Sequence, residues 1–169
     1  MLLINQNLMR TILIFGAVIV GISVLAAIFR PAPAEQQPAI ISSSVLGIEN
    51  NFYDFGTVSM EKGEVVHEFK VKNTGTEEIK IGKIYTSCMC TVALFIKGDI
   101  QKGPFGMAGH GYISPVNELL VPNEEAIIQV VFDPAAHGPA GVGPIKRLVH
   151  IESDGSMIGE LEISANVIP

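Results

Sequence analysis

Residues 64–72 read Glu64-Val65-Val66-His67-Glu68-Phe69-Lys70-Val71-Lys72, and their spacing decides the fold. Val65, His67, Phe69 and Val71 fall on one face of an extended chain, and charges occupy most of the other. A half-buried strand shows this period of two, because successive side chains point to opposite sides of a sheet. Asn73-Thr74-Gly75-Thr76 then reads as a turn, with Asn and Gly supplying backbone angles that other residues avoid. Ile79, Ile81 and Ile84 open the next strand, and Gly82 interrupts the alternation where a bulge is expected.

The same period recurs outward from this stretch, with no helical period of comparable length. Residues 126–132 (AIIQVVF) form an almost wholly apolar run, expected at the centre of a sheet. Residues 146–153 turn Val149 and Ile151 inward and Leu148, His150 and Glu152 outward. Residues 159–167 set Leu161, Ile163, Ala165 and Val167 against Glu160, Glu162, Ser164 and Asn166. Residues 52–58 and 90–96 complete a set of about seven strands. The expected class is all-β, an immunoglobulin-like β-sandwich in residues 45–169. Two connections exceed ordinary turns: residues 97–122, containing GPFGMAGHGYISP, and residues 133–144, DPAAHGPAGVGP. Loops of that length in a compact domain tend to be functional, and these carry Phe105, Met107, Tyr112 and two histidines.

The N-terminal part has a different character. Residues 11–29, TILIFGAVIVGISVLAAIF, run uncharged from Thr11 to Phe29 between Arg10 and Arg30. As a helix this run would span roughly 28 Å, close to the ~30 Å hydrocarbon core of a bilayer. It is read as one N-terminal transmembrane helix that anchors the chain to the membrane. A cleaved signal peptide ending near Ala32-Pro33-Ala34 is the alternative, disfavoured by the length of the run. Residues 31–44, rich in Pro, Gln and Ser, read as a stalk. Either reading exports the C-terminal domain, so the expected location is the cell membrane, single-pass, with that domain extracytoplasmic. The part beyond Arg30 holds all 17 acidic residues and 9 of the 11 basic ones, a formal charge of −8. A net negative surface without a basic cluster excludes nucleic acid as a partner.

The ordered motifs Asp54-Phe55-Gly56, Lys72-Asn73-Thr74-Gly75 and Ser87-Cys88-Met89-Cys90-Thr91 carry a family resemblance. From Asn51 to Phe132 the chain resembles a bacterial family of uncharacterised immunoglobulin-like domains, related to abnormal-spindle/hydin-like modules, with a Ser-Cys-x-Cys-Thr step. The resemblance implies a β-sandwich in an exported setting and no enzymatic activity. Three departures stand out: Met89 where the family usually has glycine, the insertion at 97–122, and the Ala-Ala-His-Gly-Pro-Ala-Gly loop after Asp133. Each brings Met or His into the sandwich.

Two cysteines cannot build a disulfide framework, so the domain must be held by its core. On an extended backbone Cys88 and Cys90 would share a face and Met89 would point away. Thiolates, thioethers and imidazoles are the donors that copper and zinc accept. The coherent metal set is therefore Cys88, Cys90, His110 and His137, with Met107 as a weak further ligand. The competing readings are plain packing of two small apolar residues and a strained, reducible Cys-x-Cys disulfide. His67 reads as a core histidine, His150 as solvated, and Phe105 and Met107 as a plug for one end of the sandwich. No nucleophile elbow surrounds Ser87 or Ser114, and no phosphate loop, His-Glu-x-x-His or Cys-x-x-Cys occurs. The expectation is a non-catalytic interaction or binding module at the cell envelope, its partner an unidentified envelope component, with soft-metal binding by copper or zinc as the alternative.

Overall fold

The computed structural model describes residues 45–112 and 114–169. The expected membrane span at 11–29 and the stalk at 31–44 lie outside them. Among the described residues no helix is long and apolar enough to cross a membrane.

Eleven strands are present among the described residues, and nine of them form two sheets. The first sheet runs β1 (Leu46–Ile48), β3 (Val65–Asn73), β9 (Glu125–Phe132), β6 (Thr91–Lys97) and β7 (Ile100–Phe105). The second runs β2 (Phe52–Ser59), β11 (Ser156–Ile168), β10 (Gly143–Ser153) and β5 (Lys83–Thr86). A two-stranded ribbon pairs β4 (Ile79–Ile81) with β8 (Glu118–Leu120). All pairings are antiparallel except β2 with β11.

The alternation in residues 64–72 has its expected consequence: Phe69 and Val71 are fully buried, and Glu68 and Lys70 are exposed. Facing residues from the other sheet, Val149, Ile151, Leu161 and Ile163, join them with Phe95, Ile128 and Phe132 in one continuous core. This packing of inner faces makes the domain an immunoglobulin-like β-sandwich. Each fully buried Phe, Ile or Leu contributes about 1.5–3 kcal/mol.

Several local expectations are revised. Gly82 is not a bulge within one strand but the point where the chain leaves the β4–β8 ribbon and enters the second sheet. Its N–H donates to Glu152 O (2.8 Å) and its carbonyl accepts from Val116 N (2.8 Å). A Cβ there would meet Glu152 O at 3.2 Å, so the crossing needs a residue without one. The stretch 97–122 is not a plain loop, since it contains β7 and β8. Lys97 and Lys102 clamp that excursion through Glu118, at 3.5 and 2.6 Å. His67 is half-buried and stacks on Tyr53 with ring centroids 3.6 Å apart. His150, expected in solvent, has a side chain only 16% exposed, 3.2 Å from Glu160 and 5.0 Å from the Tyr85 ring.

Asn73 was expected to provide a left-handed turn and does something else: it is fully buried and its side chain is a hub. Nδ2 donates to Glu77 O (2.7 Å) and Leu120 O (2.8 Å), and Oδ1 accepts from Gly75 N (2.9 Å). The side chain thus joins the end of β3 to β8 across the domain. Asn73→Ala should cost roughly 2–4 kcal/mol in urea unfolding, because it strands two carbonyls and one N–H. Thr76→Ala, on the exposed side of the same turn, should change stability by less than about 0.5 kcal/mol. Equal effects would show that Asn73 is not the hub.

Candidate functional site

Cys88 and Cys90 meet, though not on an extended strand. Residues 87–90 form a turn between β5 and β6 in which Thr91 N donates to Cys88 O (3.2 Å). The buried Thr86 hydroxyl lies 3.0 Å from Cys88 O and 2.9 Å from Thr91 O, clipping the two ends of the turn together. The Cys90 thiol then donates to Cys88 Sγ at 2.8 Å. Both cysteines are free; Cys90 is buried and Cys88 half-buried. Met89, between them, is 59% exposed.

The third member arrives from the second long connection. Asp133 N donates to Cys90 O (2.9 Å), tying the exit of β9 to the cysteine turn. The Asp133 carboxylate accepts from Ala135 N (2.8 Å), and Gly138 N donates to Ala135 O (2.8 Å), so the chain folds back sharply. Gly138 has φ +56, a left-handed angle that suits glycine immediately after His137. His137 Nε2 consequently sits 3.1 Å from Cys88 Sγ. Cys88 Sγ, Cys90 Sγ and a ring nitrogen of His137 all lie within 4.8 Å of one another.

A fourth residue, absent from the sequence-based set, completes the cluster. Arg147 Nε donates to Cys90 Sγ at 3.2 Å, while Nη1 donates to Lys146 O at 2.8 Å. Its signal was in the sequence: residues 147, 149 and 151 share a face in β10, and Val149 and Ile151 are core. An arginine on an inward-facing register position asks for a buried partner.

The other expected ligands stand apart. His110 is exposed, its N–H donating to Met107 O (3.3 Å), and it is not among the clustered donors. Met107 is half-buried and bridges Thr86 through the backbone, which brings its loop alongside the cysteine turn without making it a demonstrated ligand. Of the expected set of Cys88, Cys90, His110 and His137, the structure brings together Cys88, Cys90 and His137, with Arg147 behind Cys90. His110 is exposed and lies outside the cluster, whereas His137 follows β9, which pairs with the start of β6 next to the cysteines.

The electrostatics of the pair are asymmetric. Burial pushes the Cys88 thiol up, but the thiol and backbone of Cys90, the His137 ring and the Arg147 charge outweigh it and bring Cys88 down to about 7. Cys90 moves up, through burial first and then through the hydrogen bond it donates to Cys88, against the pull of Arg147 and Thr91. The first proton therefore leaves Cys88, and Cys90 retains the second.

With that geometry in place, the likenesses to other proteins are informative mainly by their limits. Residues 46–108 match the family described as Protein of unknown function (DUF1573). The match takes in both cysteines and stops before His137 and Arg147. No curated protein matches the chain. A protein of unknown function from Porphyromonas gingivalis W83 is similar in structure with TM-score 0.50 and 12% identity. The alignment covers 78% of this chain and 51% of that one, so this chain spans about half its length. The ASH/PapD-like domain 7 of human CEP192 aligns with TM-score 0.42 and 16% identity, over 82% of this chain and 96% of that one. The Pseudomonas aeruginosa CupB2 chaperone gives 0.37 and 12%, over 72% and 55%. At such identities the first of these supports the sandwich fold and nothing finer.

The thiol asymmetry is directly measurable. Iodoacetamide alkylation of the reduced protein, read site by site by peptide mass spectrometry, should modify Cys88 first, with its rate half-maximal near pH 7. An ordinary thiol titrates near about 8.5. Arg147→Gln should move the Cys88 midpoint upward, since a stabilising cation is lost. Equal reactivity of the two cysteines with an ordinary midpoint would contradict the geometry described.

Proposed function

We propose that this protein is a non-catalytic binding module of the cell envelope whose ligand is a single soft metal ion held by Cys88, Cys90 and His137. The observation that carries the reading is the convergence of two sulfurs and an imidazole nitrogen, from separate connections, within 4.8 Å. Two thiolates and an imidazole are a donor set for copper or zinc. Bonds of about 2.0–2.3 Å would space neighbouring donors roughly 3.5–4 Å apart. The present separations of 2.8 and 3.1 Å need to open by roughly 0.4–1.2 Å. Cys90 is buried in the core, whereas Cys88 is half-buried and His137 exposed.

A hydrolytic reading has less support. Ser87 Oγ accepts a hydrogen bond from Leu148 N (2.9 Å), a structural use that holds the turn to β10. The envelope setting rests on the sequence, with residues 11–29 as the membrane anchor. A partner contact at the same end of the domain is favoured by one observation: the loop beside Thr86 continues to Tyr112, whose side chain is 86% exposed.

The test uses the full-length chain in detergent micelles, reduced and metal-free, titrated anaerobically with Cu(I) and separately with Zn(II). One equivalent of metal should bind and raise the melting temperature, as ligand binding to the native state requires. The double variant Cys88→Ser, Cys90→Ser should lose binding. His137→Ala should weaken it by roughly tenfold or more, while His110→Ala leaves it unchanged. A protein that stays metal-free and melts at the same temperature with either ion would end the metal reading.

A further inference from the structure

The charge around the cluster bears on which ion it takes, an inference that rests on the metal reading above. Arg147 remains cationic at any physiological pH. Among the described residues it forms no ion pair with a carboxylate; its side chain contacts Cys90 Sγ and the Lys146 carbonyl. Two acids on neighbouring elements do not pair with it. Asp133 accepts from Ala135 N and is not among the clustered donors. Glu162 pairs with Lys146 at 2.9 Å.

Two thiolates and one guanidinium leave a net charge of −1. A univalent ion brings the cluster to zero, while a divalent ion leaves it at +1 beside Cys90, which is only 2% exposed, although Cys88 is half-buried and His137 exposed. Uncompensated charge is costly where water is excluded. The donor count points the same way. A closed structural zinc site uses four protein ligands, and among the described residues three Cys or His donors cluster, so zinc here would need a water as its fourth ligand. Soft thiolates select Cu(I), which does not require a fourth.

We propose that the site is built for Cu(I), and that Arg147 is a positioning residue that sets the preference for this univalent soft ion over Zn(II). It acts through Cys90, donating a hydrogen bond to the thiolate and placing a fixed positive charge beside the ion.

The experiment measures both affinities on the full-length protein in detergent. Cu(I) is titrated against a bathocuproine chelator under anaerobic reducing conditions, and Zn(II) against a chromogenic chelator. In the wild type Cu(I) should bind as one equivalent and more tightly than Zn(II). Arg147→Gln removes the charge and should lower the Cu(I)-to-Zn(II) affinity ratio on the order of tenfold, because the lost repulsion is larger for the divalent ion. Arg147→Lys keeps the charge and should hold the ratio within about threefold of wild type. Circular dichroism and thermal melts of each variant report whether it folds, and the Lys variant carries the test if the Gln variant does not. A ratio unchanged in Arg147→Gln, or one that falls equally in Arg147→Lys, overturns the role of Arg147. Zn(II) binding as tightly as Cu(I) in the wild type overturns the assignment of the ion while the metal site stands. Binding of neither ion removes the metal reading and this inference together.

Discussion

The register of β10 is the constraint on which the site depends. Its ladder with β11 runs from the Gly143–Val167 pair to Ser153–Ser156, and its other edge pairs with β5. Val149 and Ile151 must face the core, and a shift of one residue would turn the whole set outward. That requirement carries Arg147 to the inner face with them. A guanidinium delivered there needs an acceptor, and the fold meets it with a sulfur rather than a carboxylate. The cysteine turn therefore stands opposite a charge that the hydrophobic pattern itself puts in place.

A second register brings the remaining donor. β6 and β9 pair so that Thr91 lies opposite Phe132. The cysteines immediately precede Thr91, and the connection carrying His137 immediately follows Phe132. Antiparallel pairing makes those two chain ends neighbours, although 47 residues separate Cys90 from His137 in the numbering. The hydrogen bond from Asp133 N to Cys90 O extends the ladder by one step and starts the turn that returns His137 to the sulfurs. His110, on the loop after β7, is exposed and stands apart from these donors.

Much of the sandwich was legible because it rests on a simple period: the inward residues of β3, β9, β10 and β11 are those that alternate in the sequence. What escaped was set by long-range geometry. Gly82 reads as a bulge until one knows that the strands on either side join different sheets. β7 and β8 are hidden among glycine and proline: each buries one apolar residue, Phe105 and Leu120, too few to show a period, and Lys97 and Lys102 reaching Glu118 tie the two together. Asn73 reads as a turn former, yet its use is to satisfy backbone groups of another strand. At the site, both cysteines and His137 could be named from donor chemistry alone. Arg147 could have been named too, since alternation placed a charge on the core face of β10. The pairing of β6 with β9, which brings the connection carrying His137 to the cysteines, could not be read from local pattern.

The stretch that matches a family of unknown function contains the cysteine pair but neither His137 nor Arg147. That division has a physical meaning. Two thiols in a turn behind a buried threonine are by themselves a small apolar filling for the end of a sandwich. An imidazole on one sulfur and a guanidinium on the other change their character, since both stabilise negative charge that burial alone would suppress. Once Cys88 has lost its own proton, the proton that Cys90 holds between the sulfurs marks the position the proposed soft cation would take. On the proposed reading, the difference between packing and binding lies in two side chains from β10 and the turn before it, acting on a pair that the rest of the fold has already fixed.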